Sequence, residues 1–216
     1  MAEASLLPLA GYGLLLGWSV AWPPGPINAE IIRRGLARGF WPAYGVGLGA
    51  SSGDAVWAVA VALGAGALVA AADARVALSW LSSALLLLLA AVYLRGAWQG
   101  LRAWRQGRPP DAPGRFEGAR AGYLLGLGMA LSSPWNIAFW LAVIGRAETL
   151  QAGALGALVV AGAVLVGTNL WVLLLSGAVV LLRLRFAGGA WEVVAKAATG
   201  LLMLAFALDG LQRSIG

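Results

Sequence analysis

The sequence predicts an all-α integral membrane protein. It has six transmembrane helices in two inverted three-helix repeats, the first helix of each repeat broken or kinked. Three observations point there. Apolar residues make up 61% of the 216-residue chain and charged residues 11%, against roughly a quarter charged in an ordinary soluble domain; that is too little charge to cover a water-facing surface. Six apolar stretches reach the roughly 20 residues that a helix needs to cross a hydrocarbon core of about 30 Å. Prolines interrupt the first and fourth stretches, at corresponding places in the two halves.

The stretches fall at 5–27, 40–71, 76–96, 120–145, 152–182 and 190–212. Each is too long, and too rich in Leu, Ala and Val, for an alternating barrel strand. The first does not read as a signal peptide. Its flank carries Glu3 and no positive charge, and no small-residue cleavage site precedes Pro23, so it is expected to stay in the mature protein. Basic residues set the orientation. Arg33, Arg34 and Arg38 lie between stretches one and two. Arg95, Arg102, Arg105, Arg108, Arg115 and Arg120 lie between or at the ends of three and four, and Arg183, Arg185 and Lys196 between or beside five and six. The other face has Arg75, Arg146 and Arg213 alone. Both termini are therefore expected on the non-cytoplasmic side of the membrane. The net charge of +6 is accounted for by topology, with no nucleic-acid partner implied.

Residues 1–98 form the expected first repeat, 99–118 a cytoplasmic linker containing Gly107, Pro109, Pro110, Pro113 and Gly114, and 119–216 the second repeat. Three spans per half put related halves in opposite orientations. Trp41, Trp80, Trp98, Trp104 and Trp191 sit near expected helix ends, where an indole keeps its N–H wet and its ring in lipid. The glycine-rich faces suit a homodimer or tight packing within one chain.

The chain has neither His nor Cys. Disulfides, imidazole or thiolate metal sites, haem ligation and triads with a His base are excluded, and no cofactor or metal site is expected. Clustered nucleophiles or acid–base pairs, which a lipid-modifying enzyme would need, are missing too, so an enzyme is not expected. The chemistry gathers instead where helices break. Trp22-Pro23-Pro24-Gly25-Pro26-Ile27-Asn28 must unwind a helix, because proline removes a backbone donor and clashes with the preceding turn. The freed polar groups must face protein or a wet cavity. Ser132-Ser133-Pro134-Trp135-Asn136 is a shorter version, readable also as a plain kink. Paired interruptions in matching helices point to a substrate site near the membrane midplane.

The helix after each break carries glycines and a polar residue at similar depth: Gly45, Gly47, Gly49, Gly53 and Asp54 in one, Gly162, Gly167, Thr168 and Asn169 in the other. The glycines read foremost as close helix packing, and Asn169 as either a site residue or interhelical glue. An acid at a helix centre costs about 2.5–3.5 kcal/mol on insertion scales, so Asp54 is a functional residue by default, for substrate contact or proton coupling. Asp209, near the outer end of the last stretch, can reach water. Glu30 and Glu192, in or beside cytoplasmic loops, are expected to be solvated. The candidate substrate-binding residues are Pro24, Gly25, Pro26, Asn28, Asp54, Ser133, Pro134, Asn136 and Asn169.

Pro24-Gly25-Pro26, then Gly35-x-x-x-Gly39, then Gly47-Leu48-Gly49-x-x-x-Gly53-Asp54 resembles the first-half pattern of the lysine exporter (LysE/RhtB) family of bacterial amino-acid effluxers. Ser133-Pro134-Trp135-Asn136-Ile137-Ala138-Phe139-Trp140 is similar to that family's second motif. The resemblance covers the whole chain in length, span number and motif placement. It implies a secondary transporter that exports amino acids in exchange for protons, with Asp54 at the translocation site. Ser133 stands where the family usually has Asn, and Trp135 where it often has Lys, so the cargo implied here differs from basic amino acids if those positions touch it. The alternative within the same superfamily is a divalent-cation exporter, for which Asp54 would have only neutral oxygen ligands as company.

Overall fold

The computed structural model describes residues 6–61, 72–106, 118–133, 136, 138–143, 153–183 and 189–215. Within them the chain is helical: α1 (Leu6–Ala21), α2 (Pro26–Arg38), α3 (Phe40–Ala60), α4 (Ala72–Arg105), α5 (Ala119–Ser132), a short run at 138–143, α6 (Gly153–Arg183) and α7 (Gly189–Ile215). Three helical stretches, Trp80–Arg105, Leu158–Arg183 and Val193–Gln212, are long and apolar enough to cross a membrane. Leu81, Leu88, Leu158 and Leu181 point outward from them, each more than half exposed. Such a surface suits acyl chains and not water. Trp41, Trp80, Trp98 and Trp104 are likewise exposed, and the Trp98 ring carries the Arg102 guanidinium 4.9 Å from its centroid.

Three helix pairs dominate the packing: α1 on α6, α3 on α5, and α4 on α7. The first two are joined through glycines. A Cβ on Gly17 would overlap the Val164 carbonyl, and one on Gly167 the Leu14 carbonyl. Across the other pair, Gly49 lies against the Tyr123 carbonyl and Gly126 against that of Val46. Backbones approach this closely only where side chains are missing. Gly162 has open space around its Cα instead, and takes no part in this packing.

The first helix does not stop at its proline cluster. It breaks after Ala21 and resumes at Pro26, which occupies the start of α2 where a missing N–H does no harm. The stretch expected as a cytoplasmic loop is thus α2. Its Glu30, Arg33 and Arg34 are buried, and Glu30 is not solvated. Glu30 accepts from Arg33 Nε at 2.9 Å and from Arg34 Nε at 2.6 Å. Arg33 lies 4.6 Å over the Tyr93 ring of α4, and Arg34 Nη1 donates to the Gly118 carbonyl before α5. A carboxylate can sit this deep because two cations and their hydrogen bonds offset its desolvation. α2 turns into α3 at Gly39, where φ of +91° is closed to a side chain.

In the second half α5 ends at Ser132, and Ser133 is extended (φ −80°, ψ 115°) before helix resumes. Pro134 and Trp135 lie outside the described residues. α4 continues to Arg105, past the position where the linker was expected to begin; most of that linker, 107–117, also lies outside them.

Candidate substrate cavity

The two helix breaks and two glycine-bearing helices enclose a cavity of about 170 Å³, lined by residues of α1, α2, α3, α6 and the segment after α5. Among the described residues Asp54 is the one ionisable residue in the lining. It lies in α3, one residue beyond Gly53 and just past Gly45 and Gly49, which hold α3 against α5. Asn136 donates its side-chain amide to Asp54 Oδ1 at 2.7 Å and to the Ala130 carbonyl near the end of α5 at 3.3 Å, which the Ser133 N–H also reaches. Trp140, fully buried, brings its indole N–H within reach of Asp54 without a well-aligned bond.

Asn28 does the matching work at the first break. Its amide donates to the Ala21 carbonyl at 2.7 Å and the Pro23 carbonyl at 2.8 Å, and its Oδ1 accepts from Trp171 Nε1 at 3.3 Å. Both donors and its oxygen are engaged, so Asn28 holds the unwound backbone in shape. Pro26-Ile27-Asn28 and Pro134-Trp135-Asn136 share a Pro-x-Asn pattern, and both asparagines satisfy the carbonyls of the half-helix that ends before them. Buried carbonyls left without donors would each be costly.

Of the other expected site residues, Gly25 and Pro26 line the cavity, whereas Pro24 and Ser133 do not. Pro134 lies outside the described residues. Asn169 does not line it: its amide turns back onto the Leu165 carbonyl at 2.8 Å, and its Oδ1 is buried without a partner. Its neighbour Thr168 faces the cavity instead. Asp209, on α7, is exposed and away from the lining. Sequence reasoning passed over Ser51, Phe139, Thr168 and Trp171, all in the lining. Ser51 is buried and lines the cavity, which puts a hydroxyl in the wall beside Asp54. A signal existed for two of them: Gly53-Asp54-x-x-Trp57 recurs as Gly167-Thr168-x-x-Trp171.

The N-terminus of α2 opens into this cavity. Pro26 has no N–H and Ala29 donates to the Gly25 carbonyl, which leaves the N–H groups of Ile27 and Asn28 without intrahelical acceptors. Both residues line the cavity. One wall thus carries a carboxylate, another a helix N-terminus that favours negative charge, and apolar side chains (Val20, Phe139, Trp171, Val172) fill in between.

A largely apolar cavity with a few polar groups, set at broken helices in a lipid-facing helical bundle, has the form of a membrane transporter's substrate site. Residues 18–213 match the family described as LysE type translocator, and the chain belongs to that family of multi-pass membrane transporters. It is 35% identical over 127 residues to the chemotactic transduction protein ChpE of Pseudomonas aeruginosa, a match covering 59% of each chain. It is 27% identical over 164 residues to YcgF of Bacillus subtilis, a protein named for amino acid efflux, covering 73% of this chain and 74% of YcgF. No solved structure matches.

Proposed function

We propose that this protein is a secondary active transporter that exports amino acids from the cell in exchange for protons. The observation that carries the reading is that one small cavity is lined both by Asp54 and by the start of α2, where the N–H groups of Ile27 and Asn28 lack intrahelical acceptors. An amino acid presents an ammonium group to Asp54 and a carboxylate to the start of α2, with the Ser51 hydroxyl between. A volume near 170 Å³ lies below the roughly 300–1,000 Å³ of drug-sized sites and suits a small metabolite. A proton taken up by Asp54 from outside cancels the charge that holds the ammonium and releases cargo there. Return of that proton to the cytoplasm resets the site.

The packing supports six spans in two inverted repeats. Exchanging the halves turns the α1–α6 pair into the α3–α5 pair and leaves α4–α7 as itself. On this reading α1 with α2 forms the first span and α5 with the segment after it the fourth. The charge distribution of the sequence supports an inner-membrane location with both termini outside the cytoplasm. Because the glycine contacts lock the α1–α6 and α3–α5 pairs, access alternates by movement between pairs, not by rocking across the glycine faces. YcgF, similar over most of its length and named for amino acid efflux, supports the choice of cargo. The donor set is poor for a divalent-cation exporter, since hard cations take six or more oxygens, several of them carboxylate.

The test is counterflow in proteoliposomes under an imposed pH gradient. Radiolabelled amino acid should exchange, and flux should follow the gradient. Asp54→Asn should abolish gradient-driven flux. Transport of Mn²⁺ with no amino acid exchanged would replace this reading with cation export.

A further inference from the structure

We propose that Thr168 is the residue that sets the charge of the cargo, admitting amino acids with an uncharged side chain and rejecting basic ones. This rests on the amino-acid export reading above. Gly53-Asp54-x-x-Trp57 on α3 and Gly167-Thr168-x-x-Trp171 on α6 place Asp54 and Thr168 at equivalent steps of two helices on the cavity wall. The glycines at both steps face the partner helix: a Cβ on Gly53 would come 2.6 Å from Ala130 Cβ, and one on Gly167 would strike the Leu14 carbonyl. The tryptophans do equivalent work one turn on, each reaching the helix break of the opposite half. Trp57 Nε1 donates to the Ala130 carbonyl at 3.3 Å, and Trp171 Nε1 to Asn28 Oδ1 at 3.3 Å.

The equivalence fails at one point, and that point is charge. The first half supplies a carboxylate, the second a hydroxyl. Thr168 is 5% exposed and donates its Oγ1 proton to the Leu165 carbonyl at 2.9 Å, so it offers a ligand only lone pairs. Asp54 answers one ammonium. A second, at the end of a lysine or ornithine side chain, would meet Phe139, Trp171 and Val172 with no counter-charge among the described lining residues, and the positive end of α2 would repel it. A desolvated charge without a partner is strongly disfavoured. An acid at 168 would remove that barrier.

The experiment compares L-valine and L-lysine counterflow in wild-type proteoliposomes with the same pair in Thr168→Asp, and Thr168→Ser serves as the conservative control. Wild type and Thr168→Ser should both favour valine by about tenfold or more, and Thr168→Asp should shift the preference toward lysine by a similar factor. A wild-type protein that carries lysine as readily as valine overturns the proposal, whether or not Thr168→Asp folds. So does a folded Thr168→Asp whose preference is unchanged. Wild-type exchange of no amino acid would instead overturn the export reading on which it rests.

Discussion

Asn136 and Asp54 meet at 2.7 Å across the two halves of the chain. The same Asn136 nitrogen stays within 3.3 Å of the Ala130 carbonyl, so one side chain joins the second helix break to the acid supplied by the first half. Asn136→Ala removes both contacts; the Ala130 carbonyl keeps Trp57 Nε1 and the Ser133 N–H, and Asp54 Oδ1 loses the Asn136 amide. A loss of about 1–3 kcal/mol is expected, read as a lower Tm in detergent together with weaker amino-acid counterflow. Asp54→Asn keeps an oxygen for Asn136 and should cost transport with little change in Tm.

The glycines divide into two groups that stability measurements should separate. Gly126→Ala forces a methyl into the Val46 carbonyl, and Gly17→Ala does so at Val164. Each should destabilise by about 1–3 kcal/mol, as overpacking does. Gly128 and Gly162 have nothing within 4 Å of a built Cβ, so alanine there should leave Tm unchanged or slightly raised. Equal effects across all four sites would mean that the α1–α6 and α3–α5 contacts are looser than described.

Trp57 and Trp171 offer a test of the relation between the halves. Trp57→Phe and Trp171→Phe each delete one hydrogen bond to a helix break while keeping a ring in place. Each should cost about 0.5–1.5 kcal/mol, and both should reduce transport. A variant pair in which one substitution is silent and the other severe would argue against equivalent roles.

Glu30→Ala leaves Arg33 and Arg34 buried with their main counter-charge gone. A cost of about 3–5 kcal/mol is expected, visible as poor yield and early unfolding. Glu30→Gln keeps hydrogen-bond acceptors and should be milder. The chain contains no cysteine, so Ser51→Cys can report access directly. With Ile31 and Val46 packed against the lining residue Val172, a membrane-impermeant thiol reagent should label it from one side of the vesicle and not from the other.

Much of this was legible in the sequence because lipid simplifies the problem: a segment without water must be helical, and prolines within it must open it. The break at Pro23–Pro26 and the acid at 54 follow from that rule alone. What stayed hidden needed partners from distant parts of the chain. Arg33 and Arg34 look like loop charges until Glu30, one helical turn away, and Tyr93 on α4 are seen to enclose them. Asn28 looks like a ligand for cargo, and only the positions of Ala21, Pro23 and Trp171 reveal it as a brace. Asn169 and Thr168 are adjacent, and a depth count along a helix cannot tell which of two neighbours faces inward. The tryptophan three residues beyond Asp54 and Thr168 fixes the phase.

Because Gly13 and Gly17 nestle on α6, and Gly122 and Gly126 on α3, the front and back of the polypeptide are interlaced like the fingers of two hands. Neither end is self-sufficient. A truncated chain that stopped before Gly153 would leave α1 with a bare groove toward the bilayer and the cargo chamber short of a wall, so the smallest working fragment is close to the entire length.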